Sequence, residues 1–428
     1  MSERDLWVAE HGWIRRGTVS RSDGGNLELA PDEFDGLAAL ADGGGTNPDD
    51  GGIPLAWVRQ NGREYLCANN HVGVIRTQNG TQIELLPKVA RSMDAGECRR
   101  TLVQMLIEAR DAPFRRGTAA ALQAHRMRLL DLLLRQFLDE VAVVLRGGLA
   151  QAYVSVEENL SALRGKLLVN ENTRLNAANA ARLYCEYEIL SPDRPINRLV
   201  RTALDVVRVL ARGHREQQLA RELHARLQSV PASMDWRRDW RSMHWDRNTS
   251  HYARVMPLCG LILERMNPLT RKGENSVVSV LFPMERVFEE FVVSRLRRYW
   301  SGARVRAQVD AGHLVEDHAG TAAFGLKPDI VIDYDGRRII ADTKWKLIGL
   351  TEAPKASISQ ADAYQMFAYC KQGLPGSSDN EVWLIYPRTP DFPHALAPFA
   401  FDHSRNRMLV LPFDLDRGEI VFRQRHAS

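Results

Sequence analysis

Cysteine is scarce in this sequence, and lysine is scarcer than its basic character suggests. The five cysteines, Cys67, Cys98, Cys185, Cys259 and Cys370, are odd in number, far apart and never in a C-x-x-C pair. That argues against a disulfide framework and against a zinc or iron–sulfur centre, so a reducing, cytoplasmic setting is expected. The 12 histidines include no H-E-x-x-H or His-x-His cluster. Long apolar runs are missing too: the richest stretch, Leu129–Leu145, is cut by Asp131, Arg135, Asp139 and Glu140. It suits a buried amphipathic helix and not a membrane span, and no membrane partner is expected. Met1–Arg16 mixes Glu3, Asp5 and Glu10 with single apolar residues and lacks the apolar core of a signal peptide. No phosphate-binding loop is visible, because Arg164-Gly165-Lys166 lacks both the upstream glycine and the following Ser or Thr. The nine Trp and ten Tyr form no stacking stripe, so no base-reading module is evident. A net charge of +4 is too small to prove a polyanion partner, though it allows a local basic groove. Of only eight lysines, three, Lys327, Lys344 and Lys346, fall in one short window.

What is present is a globular composition, 44% hydrophobic and 26% charged over 428 residues, long enough for roughly three domains. From Trp7 to about Val89 the text is β-like, with runs at Trp13–Val19, Leu55–Val58, Glu64–Cys67, Val72–Thr77 and Thr81–Leu86, and turns at Asn61-Gly62 and Asn79-Gly80. Ala41–Gly52 reads as a loop. After Pro87 the period turns helical: Arg99–Arg110, Ala119–Leu145, Asn197–Leu227 and Ser250–Met266 repeat apolar residues at three and four. Pro192, Pro195, Pro231 and Pro257 punctuate this helical middle, and Arg271–Asn275 is a polar joint. No internal repeat appears. The expected class is α+β and multidomain: a β-rich N-terminal domain over 1–98, a helical domain over 99–275, and a C-terminal α/β domain with a mixed central sheet over 276–428.

The chemistry concentrates in Leu326–Lys346, LKPDIVIDYDGRRIIADTKWK. Two β-rich runs flank Asp335-Gly336, a strong hairpin turn signal. With those two residues in the turn, Tyr334 faces Arg337, and Asp329 falls directly opposite Asp342. Opposed residues have Cβ atoms roughly 5 Å apart, where two carboxylates repel unless a cation lies between them. Alternation puts Lys344 on the face of Asp342. Two carboxylates and an ammonium over one site suit metal-assisted phosphodiester hydrolysis: magnesium polarises the phosphate and acidifies a water, while Lys344 orients the water or stabilises developing charge. Taken alone, such a P-D and D-x-K pair is also what surface hairpin charges look like.

Two neighbours strengthen the reading. Met284–Arg298 forms an amphipathic helix with Val287, Phe288, Phe291, Val292 and Leu296 on its apolar side and Glu289 beside that stripe. Ser359–Cys370 opens with a capping pattern, Ser359 then Asp362, and carries Gln365 and Tyr369 one turn apart on one face, able to address the site or a DNA phosphate. Helix, acidic hairpin, helix and the apolar strand Val382–Tyr386 follow the element order of a PD-(D/E)xK nuclease core.

On these residues the final third resembles the PD-(D/E)xK nucleases with a Q-x-x-x-Y signature, matched by Glu289, Asp329, Asp342, Lys344, Gln365 and Tyr369. From about residue 80 to 390 the chain resembles, more narrowly, the McrC subunits of McrBC modified-cytosine restriction systems, through Ile83–Val89 (IELLPKV), Leu163–Leu168 (LRGKLL), Glu186–Leu204 and Val287–Val292 (VFEEFV). The resemblance implies a magnesium-dependent (or manganese-dependent) DNA endonuclease of a type IV, phage-defence system, with Glu289, Asp329 and Asp342 as metal ligands and Lys344, Gln365 and Tyr369 completing the catalytic set. It implies that GTP is bound by an McrB-like AAA+ partner ring and not by this chain, that the non-nuclease part stimulates the partner's GTPase, and that the partner selects double-stranded DNA containing modified cytosine. Residues 1–80 depart from the shortest members. Two other classes compete: a GTPase-activating interaction subunit with a silent nuclease fold, which the intact Asp329, Asp342 and Lys344 disfavour, and an autonomous RecB-like exonuclease, which the large helical middle disfavours.

Overall fold

The structure, a computed structural model, describes residues 5–42, 55–60, 62–76, 81–91, 94–109, 127–266, 278–318, 321–348, 358–372, 380–401 and 406–422. The turn at Asn79-Gly80, the joint Arg271–Asn275, Asn61, and residues 119–126 of the expected long helix lie outside them. By packing, the chain forms two compact units, Met1–Leu132 with Glu274–Ser428, and Leu133–Gly273.

The N-terminal part of the first unit contains β1 (Leu6–Ala9), β2 (Trp13–Arg16), β3 (Arg21–Asp23), β4 (Asn26–Leu29), helix α1 (Pro31–Asp42), β5 (Leu55–Gln60), β6 (Arg63–Ala68), β7 (His71–Arg76), β8 (Gln82–Leu86) and helix α2 (Ala95–Glu108). Strands order as β3-β4-β2-β6-β5 in one sheet. Alternating apolar residues, Ile14, Leu27, Leu29, Leu55 and Leu66, pack with Phe34 and Leu37 of α1 and with Leu6, Val8, Ile83 and Leu85 in one core. Ala41 and Asp42, expected at the start of a loop, close α1; the rest of that expected loop, Gly43–Gly52, lies outside the described residues.

The second unit begins within α3 (Leu129–Gly147) and continues with β9 (Ala152–Leu160), β10 (Lys166–Leu167), α4 (Val169–Asn176), β11 (Leu183–Ser191), α5 (Pro195–Leu210), α6 (His214–Arg226), α7 (Trp236–Ser242) and α8 (Val255–Leu261). The middle is therefore not purely helical: β10, β11 and β9 form an antiparallel sheet. Most of β9 is exposed and β11 is mainly half-buried, and the two carry Glu157, Glu158, Glu186 and Glu188 among the apolar residues, so the two-residue apolar alternation that marks a strand with one buried face is blurred. The helix expected over Asn197–Leu227 splits at Arg212-Gly213, where Gly213 caps α6. Pro195 opens α5, and Ile196, Leu199, Val200, Ala203, Leu204 and Val207 form its buried stripe. No described helix is long and apolar enough to cross a membrane.

Back in the first unit, β12 (Val278–Pro283) pairs antiparallel with β7, giving a sheet of order β1-β8-β7-β12. Gly73 makes that approach possible: its φ is 137°, and a Cβ there would lie 1.9 Å from the Val280 carbonyl oxygen. Helix α9 (Met284–Tyr299) follows directly, and Met284 N–H donates to the Asn70 carbonyl at 2.9 Å. Then come β13 (Arg304–Ala307), β14 (His313–His318), β15 (Thr321–Gly325), β16 (Ile330–Tyr334), β17 (Arg337–Thr343), α10 (Gln360–Gln372), β18 (Glu381–Pro387), β19 (Phe399–Ala400), β20 (Arg407–Asp414) and β21 (Glu419–Ile420). The main sheet, β13-β16-β17-β18-β20-β19, is mixed, with β17, β18 and β20 parallel. One face is covered by Met366, Tyr369 and Cys370 of α10 against Val331, Ile340, Val382, Leu384 and Val410. Elsewhere Phe288 and Phe291 of α9 meet Phe413 edge-on. Burial on both faces explains the nearly continuous apolar text of β18. The fold is mixed α+β.

Candidate active site

The site grows from a tight hairpin. Asp335 and Gly336 have φ values of 49° and 70°, the left-handed pair a two-residue turn needs, and Tyr334 pairs with Arg337 and Ile330 with Ala341. The register read from the sequence is the observed one. Just beyond the ladder, an Asp329 oxygen accepts from Thr343 N–H and Thr343 Oγ1–H, both at 2.8 Å, which fixes Asp329 beside the Asp342 strand end.

Asp342 is 1% exposed. Lys344 Nζ lies 2.5 Å from Asp342 Oδ2 and donates to Gln365 Oε1 at 3.1 Å, while Gln365 Nε2 reaches Asp342 Oδ1 at 3.4 Å and Tyr369 Oη at 2.9 Å. Tyr369 O–H in turn donates to the Lys327 carbonyl at 3.1 Å. The ring is buried in the α10 core, so the phenol supports Gln365 and does not present itself to a phosphate. Glu289, on α9, accepts from Gln308 Nε2 at 2.5 Å. The six residues singled out in the sequence are thus gathered in one place, four in a hydrogen-bonded chain and two beside it.

Electrostatics couple the three carboxylates. Burial, then Asp329, Glu290 and Asp342, push Glu289 up to about 7, and burial together with Asp329 raises Asp342 against the pull of Lys344. For Lys344, burial alone would lower the ammonium's pKa, but Asp342, Asp329 and Asp362 outweigh it and the pKa rises. Lys344 is therefore a fixed positive charge at neutral pH. A cavity of about 880 Å³ opens beside the site, lined by Glu289, Gln308, Asp329, Thr343, Lys344 and Lys346, with Arg286 and Arg297 of α9 also on its wall.

The donor set is all oxygen, as a hard divalent ion requires. Asp342 Oδ2 is shielded from solvent and, apart from its ion pair with Lys344, accepts no hydrogen bond. Mutually repelling, partly buried carboxylates fit a bound cation, although among the described residues no three His, Cys, Asp or Glu form a ready-made cage.

Other residues join the site without having been given a role in it from the sequence. Gln308 carries no motif. Lys346 pairs with Asp362 at 2.8 Å, and Asp362 also accepts from Tyr386 O–H at 3.3 Å. Most distant is Glu10, whose Oε2 accepts from Trp345 Nε1–H at 2.7 Å and from Lys88 N–H at 3.0 Å, while Lys88 Nζ donates to the Trp345 carbonyl. The residue following Lys344 is thereby tied to the N-terminal sheet. The one available signal was Lys88 within Ile83–Val89.

Glu10 makes a stability prediction. Burial raises it from 4.5 to about 7 despite the bonds from Trp345 and Lys88. The folded state then holds a proton that the unfolded chain releases, so this group's contribution is complete below about 4.5 and is lost as pH rises to about 7. Up to about 3 kcal/mol is at stake. Glu10→Gln keeps the acceptor and cannot ionise, so its stability relative to wild type should improve between pH 5 and pH 8 in urea unfolding. Parallel pH profiles for the two proteins would refute this account of Glu10.

The sequence matches the family of McrBC 5-methylcytosine restriction system components over residues 66–387. The chain belongs to the McrBC family. No curated protein sequence matches it. Among solved structures, the fold is similar to a chain of the tetradecameric assembly of Thermococcus gammatolerans McrB AAA+ hexamers with bound McrC, at TM-score 0.66 and 16% identity, covering 98% of this chain and 96% of that one. A chain of the T. gammatolerans McrBC complex is similar at TM-score 0.51 and 17% identity, over 71% of this chain and 89% of that one. The match to the McrBC family spans the hairpin, Gln365 and Tyr369, and omits the strands before residue 66.

Proposed function

We propose that this McrBC-family chain is the McrC-like nuclease subunit of a modified-cytosine-dependent restriction system, working with an McrB-like AAA+ GTPase ring. The observation that carries the reading is the bonded Asp342–Lys344–Gln365 group beside Glu289 and Asp329 on an 880 Å³ cavity, in a chain of this family. Its core is read as a PD-(D/E)xK nuclease. Glu289, Asp329 and Asp342 would hold magnesium, or manganese, which when bound supplies phosphate polarisation and a more acidic water.

The chain's own groups do the rest. Lys344, held charged, cannot take a proton from water near neutral pH; it neutralises charge developing on the phosphate. Gln365 fixes the ammonium and Asp342 in one geometry, and Tyr369 anchors Gln365 to the Lys327 backbone. Lys346, Arg286 and Arg297 on the cavity wall are positioned for the sugar-phosphate backbone, a contact that orients DNA and carries no base information. Recognition of modified cytosine belongs to the partner, as does GTP. Residues before about 275 carry the partner contact, and the site of action is the cytoplasm.

The reading is tested with the full chain and its AAA+ partner, supplied with GTP, on matched methylated and unmethylated plasmids. Cleavage of the methylated plasmid only, with faster GTP turnover when this chain is added, is expected. Cutting by the partner alone, or no effect of this chain on turnover, would overturn the division of labour.

A further inference from the structure

Gln308 stands at the point where the first strand of the sheet leaves its ladder. β13 pairs with β16 as far as Ala307 opposite Ile330. At the next residue the backbone turns to a φ of 51°, a left-handed conformation that glutamine, with an unbranched side chain and no local turn bond to offer, rarely adopts. Asp335, also left-handed, sits in a tight turn that calls for it. Gln308 has no such turn, and it is exposed, so burial does not force its shape.

Two bonds accompany the distortion. Gln308 N–H donates to the Asp329 carbonyl at 3.0 Å, and its Nε2 donates to Glu289 Oε1 at 2.5 Å. One residue thus ties the start of the acidic hairpin to a carboxylate on a separate helix, on the wall of the cavity. An amide that meets a carboxylate presents its NH₂ and not its oxygen, so the bond satisfies one Glu289 oxygen without adding charge. Backbone distortion of this kind persists where the surroundings over-determine it, and it gathers at functional sites.

We infer that Gln308 is a positioning residue for the metal-binding carboxylates, its left-handed backbone placing an amide that holds Glu289 beside Asp329. The inference rests on the magnesium-site reading above. Partners that orient a metal ligand typically contribute about 10- to 100-fold in affinity.

The test uses the full-length chain without DNA and manganese as the probe, with binding followed by electron paramagnetic resonance. Gln308→Gly relaxes the backbone and removes the amide; Gln308→Met keeps the length and removes the donor. Both should weaken manganese binding about 10-fold or more and raise by a similar factor the magnesium concentration needed for half-maximal cleavage, with the rate at saturating magnesium changed by less than about threefold. The glycine variant should unfold no more easily than wild type, which separates positioning from loss of fold. Asp342→Asn serves as the reference. If it abolishes manganese binding while both Gln308 variants bind like wild type, the role of Gln308 is refuted and the metal site stands. If Asp342→Asn leaves binding unchanged, the metal reading fails and the inference falls with it.

Discussion

Lys344→Ala should lower the single-turnover rate of DNA cleavage by about 100- to 1,000-fold, the usual cost of removing one preorganised donor aimed at developing charge. The expectation follows from the position of the ammonium, 2.5 Å from Asp342 Oδ2 and held by Gln365, and from a pKa that keeps it charged. Lys344→Arg retains the charge but not the compact geometry, so it should recover only part of the rate. The assay is linearisation of methylated plasmid by the chain with its partner and GTP. Wild-type cleavage by Lys344→Ala would remove Lys344 from the chemistry and leave it as a neutralising partner for a buried aspartate.

Metal substitution should have an effect of at least similar size. Glu289, Asp329 and Asp342 offer only oxygen, so magnesium and manganese should support cutting, zinc should support it poorly, and calcium should allow DNA binding with little cleavage. Chelation should stop cleavage altogether. GTP turnover followed in the same samples separates a loss at the partner's nucleotide site from a loss at the carboxylates. Cleavage that persists in excess chelator, or that runs best with zinc, would contradict an all-oxygen site.

The hairpin was the most legible part of the molecule, for a local reason. Asp335-Gly336 fixes a two-residue turn, the turn fixes the register, and the register brings Asp329 to Asp342 and Lys344 to the same face. Gln365 and Tyr369 were legible because a helix sets residues four apart on one face. The rest depended on distance along the chain. Glu10 meets Trp345 across 335 residues, and β7 pairs with β12 across some 200; neither leaves a periodic trace. Gln308 was invisible because its role comes from a backbone dihedral and not from a motif. The β9–β11 sheet was hidden because neither strand has a cleanly buried face, and glutamates interrupt the alternation that one would impose.

On the proposed function, this chain cuts DNA at the Asp342 carboxylate while its help to the partner's GTPase resides elsewhere. The most direct measurement is Asp342→Asn, assembled with the AAA+ partner, with DNA cleavage and GTP turnover read from one reaction. Removing one charge from a crowded acidic site should leave the hairpin folded, so cleavage should vanish while stimulated GTP turnover stays at the wild-type level. Cleavage at the wild-type rate, or loss of both activities together in a folded variant, would contradict it.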